Sequence, residues 1–438
     1  QHKDNIQHIT YTAVWEGASL SELNMMLQQL IPSTITENLN LPTSYSGFTI
    51  VWSSSHEDVI SHEGVYKKPY EGLVVRLTAT ITSDQHQFTR GYDVSVEGYK
   101  SLSNGIASSY IYRNYESVDD QFFQTLDIIN LAFITANADA ELHGTSVLNN
   151  YQTYIKEKAR LNGNWVVMSI APESSWSVIA ASPTLIQRLA DNIVKMINQY
   201  GFDGVDIDWE TPTTAEAPRF TDLMRAVYQK VKANNPNHLV TTAITGGMWQ
   251  VPRYDLNNSL QYLDYINMMT YGMTSNGGQY HNALYPISSF HNTTFNAGRT
   301  LVSCSIEESI QIFNQQFNVP NSKIIVGAAF YGIRQVRTFN SSTQSWSTWQ
   351  NAGSIHYTEI ARDLLNHPNY TEYYDTRAGV PYMLKNDGTE FISYDNPRSI
   401  REKSEYVLAQ DLAGIMYWEH GTDATGLLLN PMRVGMQK

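Results

Sequence analysis

The sequence predicts an α/β protein, an eight-stranded (β/α)8 TIM barrel with a subdomain inserted between its seventh and eighth strands, preceded by a small all-β sandwich. Three observations predict it. Beyond about residue 104, eight β-rich runs alternate with helical ones, and eight strands is the number that closes a barrel. About 80 residues separate the seventh run from the eighth, too many for a simple connection. Residues from about 10 to 98 show instead period-two apolar spacing broken by turn formers, which favours antiparallel strands.

Composition agrees with a folded chain. Of 438 residues, 42% are hydrophobic and 16% charged, which excludes a disordered tail or a charged filament. The excess of 42 acidic over 29 basic residues gives a net charge of −13, so a phosphate backbone would be repelled overall and nucleic acid is not the expected partner. No run is long and apolar enough for a membrane span. The chain opens with polar QHKDN, so no export signal is visible. A lone Cys304 makes no internal disulfide, and the twelve histidines lack metal-site spacing. The nearest to a cluster is His56 and His62 with Glu57 and Glu63. Neither a metal nor a cofactor is expected.

In chain order, the first module (1–100) contains FTIVWSSS at 48–55, VVRLTATITS at 74–83 and YDVSVEGY at 92–99 as strands. The barrel domain (101–438) follows. Its strands are IASSYIY (106–112), DIINLAFI (127–134), WVVMSI (165–170), DGVDIDWE (203–210), HLVTTAI (238–244), DYINMMTY (264–271), KIIVGAAF (323–330) and AGIMYW (413–418). Between them, Ser182 and Pro183 suit a helix start, apolar residues recur from Leu185 to Ile197, and Gly201 suits its end. Phe220, Leu223, Met224, Val227 and Val231 repeat the spacing. The segment from about 334 to 393, rich in Tyr, Trp and turn formers, reads as the inserted subdomain.

The chemistry concentrates in GFDGVDIDWE. On a strand, Asp206, Asp208 and Glu210 share one face, and in a barrel one face is the interior. Buried carboxylates are costly unless protonated, paired or hydrogen-bonded, so three together mark a functional site. Their mutual repulsion predicts that at least one holds a proton near neutral pH, and a held proton can be donated. Glu210, nearest the C-terminal end, faces the mouth where barrel active sites lie and is the expected donor to a departing oxygen. A solvent-facing antiparallel strand and a metal-binding carboxylate cluster are the alternative readings.

DGVDIDWE at 203–210 resembles, position for position, the DGxDxDxE signature of glycoside hydrolase family 18, which includes chitinases and endo-β-N-acetylglucosaminidases. MMTYG at 268–272 resembles its MxYD motif, VGAAFYG at 326–332 its seventh strand, and ISYDNPRSIREKSEYV with GIMYWE at 414–419 its eighth. The stretch from VWSSSHEDVISHEGVYKKP to YDVSV resembles a bacterial immunoglobulin-like module, and YYDTRAGVPYM at 373–383 the α+β insertion of deep-cleft chitinases.

The resemblance implies substrate-assisted hydrolysis with retention of configuration, in which the 2-acetamido oxygen of the sugar attacks the anomeric carbon. Glu210 would protonate the glycosidic oxygen, Asp208 would hold the acetamido N–H, Asp206 would share the proton of Asp208, and Tyr271 would hydrogen-bond the acetamido carbonyl. Trp418 would form the floor under the sugar at the cleaved bond, with Tyr331, Trp249, Met269 and Asp203 as further binding residues. Trp176, Trp346 and Trp349 could add sugar platforms. The sequence departs from the family pattern at Gly272, where the motif has an acid, and in the third-strand motif, which reads Ser169, Ile170, Ala171, Pro172.

The expected partner is therefore an N-acetylglucosamine-containing polysaccharide or glycan. An endo-acting chitinase leads. An endoglycosidase of the N-glycan chitobiose core and a non-catalytic chitin-binding lectin remain alternatives. Such a substrate implies a secreted, periplasmic or cell-surface bacterial protein; the oligomeric state is not legible.

Overall fold

The computed structural model describes residues 20–84, 86–103, 105–172, 174–246, 250–273, 280–286 and 305–438. The chain divides into two compact units, Gln1–Lys100 and Ser101–Lys438.

The first unit contains β1 (Thr34–Ile35), β2 (Ser44–Tyr45), β3 (Phe48–Ser54), β4 (Leu73–Thr82) and β5 (Gln87–Val96). They form one five-stranded sheet in the order β1-β5-β4-β3-β2, antiparallel except for the β1–β5 pair. Alternation puts Ile50, Trp52, Val75, Leu77, Ala79 and Ile81 on one buried face. Leu23 and Leu27 from a helix over 20–30 complete that core. The strand-rich sheet is consistent with an immunoglobulin-like module.

The second unit is built on a closed parallel barrel. Its strands are β6 (Ile106–Ile111), β7 (Ile128–Ala136) with the short antiparallel β8 (Leu142–His143) beside it, β9 (Trp165–Ile170), β10 (Gly204–Ile207), β11 (Leu239–Thr245), β12 (Tyr265–Met269) and β13 (Ile324–Ala329), then β21 (Gly414–Trp418) after the insertion. Each parallel strand pairs with its sequence neighbour in the barrel, and β6 pairs with both β7 and β21, which closes the ring. All eight expected runs form these strands.

The helices between them follow the amphipathic pattern. Pro183–Tyr200 starts on Ser182, whose hydroxyl accepts from the Leu185 N–H, and ends on Gly201 at φ 76°. It buries Ile186, Leu189, Ala190, Ile193 and Ile197. Four large aliphatic side chains at about 1.5–3 kcal/mol each make this face worth roughly 6–12 kcal/mol before entropy is subtracted. Truncating the fully buried Leu189 to Ala would cost about 2–5 kcal/mol.

The insertion begins already at Tyr331, directly after β13, rather than near residue 334. It comprises β14 (Tyr331–Val336), the hairpin β15 (Phe339–Asn340) and β16 (Ser345–Trp346), β17 (Gln350–His356), β18 (Tyr370–Asp375), β19 (Val380–Lys385) and β20 (Glu390–Ser393). Five of these form an antiparallel sheet, β17-β14-β20-β19-β18, with helical turns over 357–364. A buried pair anchors its exit: Lys403 Nζ lies 2.8 Å from Asp395 and donates to the Asn282 carbonyl at 2.7 Å. Both side chains are fully shielded from water.

At the N-terminal end of the barrel a repeated stitch closes alternate seams. Asp127, Asp203 and Asp264 each immediately precede a strand, and each carboxylate accepts the backbone N–H of Ala107, Val166 or Val240 at 2.8–2.9 Å. The same three residues donate their own N–H to the carbonyls of Ala107, Val166 and Val240.

Candidate active site

The site stands at the opposite, C-terminal end of the strands. Asp206 lies inside the barrel with no exposure, flanked in register by Ser169 on β9 and Thr241 on β11. Its Oδ2 accepts from Tyr110 Oη at 2.7 Å and Ser169 Oγ at 2.8 Å. Its Oδ1 accepts from Thr241 Oγ1 at 2.7 Å and Asn267 Nδ2 at 3.2 Å. Four donors from four strands therefore satisfy this carboxylate, which removes the cost of burying it unpaired.

The regular strand stops at Ile207, shorter than the run to 210 that the alternation suggests. The Asp208 N–H still reaches the Ile170 carbonyl at 3.0 Å, and the chain then leaves the barrel wall. Asp208 is nearly buried, whereas Glu210 is exposed on the cleft. Asp208 and Glu210 line the same cleft. Burial first, then the charges of Glu210 and Asp206, raise the pKa of Asp208 well above the carboxylate range. The Asp208 Oδ1 atom is buried and has no hydrogen-bond partner among the described residues.

Tyr271 follows β12. Thr270 Oγ1 donates to the Gly327 carbonyl at 2.7 Å and accepts the Gly327 N–H at 2.9 Å, fixing the turn that carries Tyr271. Gly327 is required there, since an added Cβ would sit 2.7 Å from the Tyr271 ring and 2.6 Å from the Met268 carbonyl oxygen. Burial, then Tyr331 and the acids, push the Tyr271 hydroxyl well above its ordinary value, so it stays a neutral donor. Trp418 ends β21, half-buried against Tyr110 at 5.5 Å, Tyr112 at 5.9 Å and Phe133 at 5.6 Å between ring centroids.

Together these groups line a cleft of about 520 Å³ that contains Asp208, Glu210, Tyr271, Trp418, Tyr331, Met269, Tyr110, Phe133, Thr245 and Gln250. Tyr331 packs edge-on to Tyr271 at 6.2 Å. Asp206 lies beneath, reaching the cleft through Tyr110.

Several expected binding residues sit elsewhere. Asp203 belongs to the stitch at the far end of β10, its carboxylate 2.8 Å from the Val166 N–H, and does not line the cleft. Trp176 is not a platform: it is buried against Trp209, and its Nε1 donates to the Asp208 carbonyl at 2.9 Å. Trp346 and Trp349 flank the Arg337 guanidinium on the insertion, at 4.2 and 4.3 Å. Trp249 and Cys304 lie outside the described residues. Glu57 accepts from His62 at 3.1 Å, and no group of three metal-ligating side chains occurs among the described residues.

Gly272, at the position of the family acid, adopts φ 64°, where a side chain is strained, and its N–H donates to His281 Nδ1 at 3.0 Å. Burial pushes His281 down to about 3, so it remains neutral and can accept that bond. His281, Tyr110, Phe133 and Asn267 were not singled out in the sequence. Tyr110 alternates with Ser108 on β6 and could have been suspected as an inward polar residue; the others depend on tertiary contacts.

The model for glycosyl hydrolases family 18 matches residues 106–423, and that for the atrophied bacterial Ig domain matches residues 22–98. Chitinase A1 of Niallia circulans is 26% identical over 60% of this chain and 40% of its own length. Chitinase B of Serratia marcescens is 26% identical over 55% of this chain and 59% of its own, and Endochitinase 1 of Metarhizium robertsii 29% over 63% and 65%. The chain thus spans about 40–65% of these relatives. A solved family 18 N-acetylglucosaminidase from Paenibacillus barengoltzii superposes with a TM-score of 0.65 at 26% identity, covering 76% of this chain and all of that one. With the family model spanning most of the sequence and Asp208 and Glu210 of its signature lining the cleft, the chain belongs to glycosyl hydrolases family 18.

Proposed function

We propose that the protein is a retaining, endo-acting hydrolase of β-1,4-linked N-acetylglucosamine polymers that uses the substrate acetamide as its nucleophile. The observation that carries this reading is the buried, partnerless Oδ1 of Asp208, which suits an amide N–H delivered from the cleft.

The sugar at the cleaved bond lies on Trp418, and its acetamide points down between Asp208 and Tyr271. Asp208 accepts the N–H and Tyr271 donates to the carbonyl, so the carbonyl oxygen is aimed at C1. As that oxygen bonds to C1, the glycosidic C1–O bond breaks and the leaving oxygen takes the proton of Glu210. Asp208 stabilises the positive oxazolinium ring. Water then attacks C1 as the bond from C1 to the acetamide oxygen breaks and the acetamide is restored, and the water gives its proton to Glu210, so two inversions give retention. The raised pKa of Asp208 keeps a proton beside Glu210 before catalysis. Asp206, held by four donors, provides a fixed negative charge beneath the cation.

The three relatives above are named chitinases or endochitinases, which supports an N-acetylglucosamine polymer as substrate. A polymer of that kind places the enzyme outside the cytoplasm, at the cell surface or in the medium. No helix among the described residues is long and apolar enough to cross a membrane. Product analysis tests the reading. Incubation with chitohexaose should release short oligomers whose new reducing ends are initially β, with no cleavage of a high-mannose glycoprotein or of the deacetylated polymer. Release of the glycan with chitohexaose left intact would transfer the assignment to the chitobiose core. Equal, vanishing turnover by the wild type and Glu210→Gln would leave a lectin.

A further inference from the structure

We propose that Arg113 is a positioning residue for this reaction, tying the end of the strand that carries Trp418 to the insertion strand that carries Tyr331 at the rim of the cleft. The inference rests on the functional reading above. Arg113 lies just past β6 and does not line the cleft, so it acts through its partners.

One arm reaches the floor. Glu419 directly follows Trp418, and its side chain is wholly buried. Its Oε2 accepts the N–H groups of Tyr112 at 3.1 Å and Gly421 at 2.8 Å, and its Oε1 forms an ion pair with Arg113 Nε at 2.8 Å without hydrogen-bond geometry. A buried carboxylate is tolerable only with such compensation, which ties the end of β21 to the loop after β6. The neighbouring Tyr112 ring stands 5.9 Å from both Trp418 and Phe133, so the same tie places the aromatic floor.

The other arm reaches the wall. Arg113 Nη1 donates to His356 Nε2 at 3.3 Å. His356 is the register partner of Tyr331 across the β14–β17 ladder, and Tyr331 lines the cleft. A guanidinium can address both partners at once because its donors are fixed in a fork; an ammonium has no such geometry. The same two segments are also joined without Arg113, by the Phe330 N–H donating to the Trp418 carbonyl at 2.9 Å and by Thr358 Oγ1 donating to the Thr422 carbonyl at 3.0 Å.

The wall arm is sensitive to pH. Arginine only donates, so His356 must offer a free lone pair and be neutral. The charged groups facing His356 are Arg113 and Glu359, the latter accepting the His356 backbone N–H at 3.2 Å. Burial, then Arg113, keep the imidazole pKa below its ordinary value, so the arm is intact at neutral pH. Acid protonates His356, sets two cations against each other and releases the wall.

The test uses the full chain and chitohexaose. Arg113→Ala should raise KM about tenfold while kcat changes less than about threefold, and Arg113→Lys should recover only part of the loss. His356→Ala should raise KM less, and the double variant should be no worse than Arg113→Ala alone. His356→Gln keeps an acceptor that does not titrate, so its KM should match the wild type at neutral pH and stay flat where the wild-type KM rises in acid. An unchanged KM in a folded Arg113→Ala variant, or a wild-type acid rise retained by His356→Gln, would overturn the proposal. Amide hydrogen exchange supplies a readout independent of turnover: protection should fall at both 112–114 and 331–333 in Arg113→Ala. If the wild type leaves chitohexaose intact, the substrate assignment fails, and exchange still decides the tie, unchanged protection overturning it.

Discussion

Replacing Asp206 by asparagine keeps the shape of the side chain but removes one carboxylate oxygen and the charge. In the wild type Tyr110, Ser169, Thr241 and Asn267 all donate to this group. The amide retains a single acceptor oxygen, so two of the four donors would face an N–H2 group instead. A hydrogen bond to a charged group contributes about 1.5–3 kcal/mol, so losing two removes roughly 3–6 kcal/mol. Hydroxyls can rotate and accept from the new amide, recovering about 1 kcal/mol each, which leaves a net loss of about 1–4 kcal/mol. Urea unfolding followed by tryptophan fluorescence measures this directly. A second signature accompanies it: the Asp206 charge helps raise the pKa of Asp208, so the variant should titrate Asp208 at lower pH. Hydrolysis should fall as well, because the Tyr110 ring that Asp206 holds packs 5.5 Å from Trp418. A stability loss under about 0.5 kcal/mol would refute the claim that these four bonds are made to a charged acceptor.

Further outcomes are expected. Glu210→Gln should lower kcat on chitohexaose by about 10²–10⁴-fold with KM little changed, as removal of a general acid does. Asp203→Ala should destabilise the barrel by about 1–3 kcal/mol, since it orphans the Val166 N–H, yet leave KM for oligomers unchanged; a raised KM would return Asp203 to the binding site. Asp208 carries a raised pKa, so the folded state binds a proton that the unfolded chain has already released. Wild-type stability should therefore fall as pH rises from near the unfolded carboxylate value toward the folded pKa, and Asp208→Asn should remove that slope, read as melting temperature against pH. Gly327→Ala should reduce kcat, because its Cβ would lie 2.7 Å from the Tyr271 ring.

The barrel was legible because its evidence is local. Each of the eight runs carries its own β pattern, and the helix over Pro183–Tyr200 shows its cap, its apolar face and its terminal glycine within one stretch of sequence. The acids were legible for the same reason, as alternation alone puts Asp206 and Asp208 on one face. What alternation could not supply was where the strand ends, so Glu210 appeared as part of a strand that stops at Ile207. Asp203 belongs to the same signature but serves the opposite end of the barrel, and only its partner, Val166, shows this. Trp176 illustrates the ambiguity of a tryptophan: a sugar platform and a buried indole bonded to the Asp208 carbonyl look alike in sequence. Thr241, Asn267 and His281 come from distant segments, and their roles arise only when Asp206 and Gly272 are brought beside them.

The most direct measurement compares turnover of chitohexaose with that of the same oligomer bearing N-trifluoroacetyl groups, whose carbonyl oxygen is a poorer nucleophile of nearly the same shape. With the acetamide attacking C1, the fluorinated oligomer should bind comparably and turn over far more slowly. Equal kcat values for the two would contradict substrate assistance and require a nucleophile from the protein.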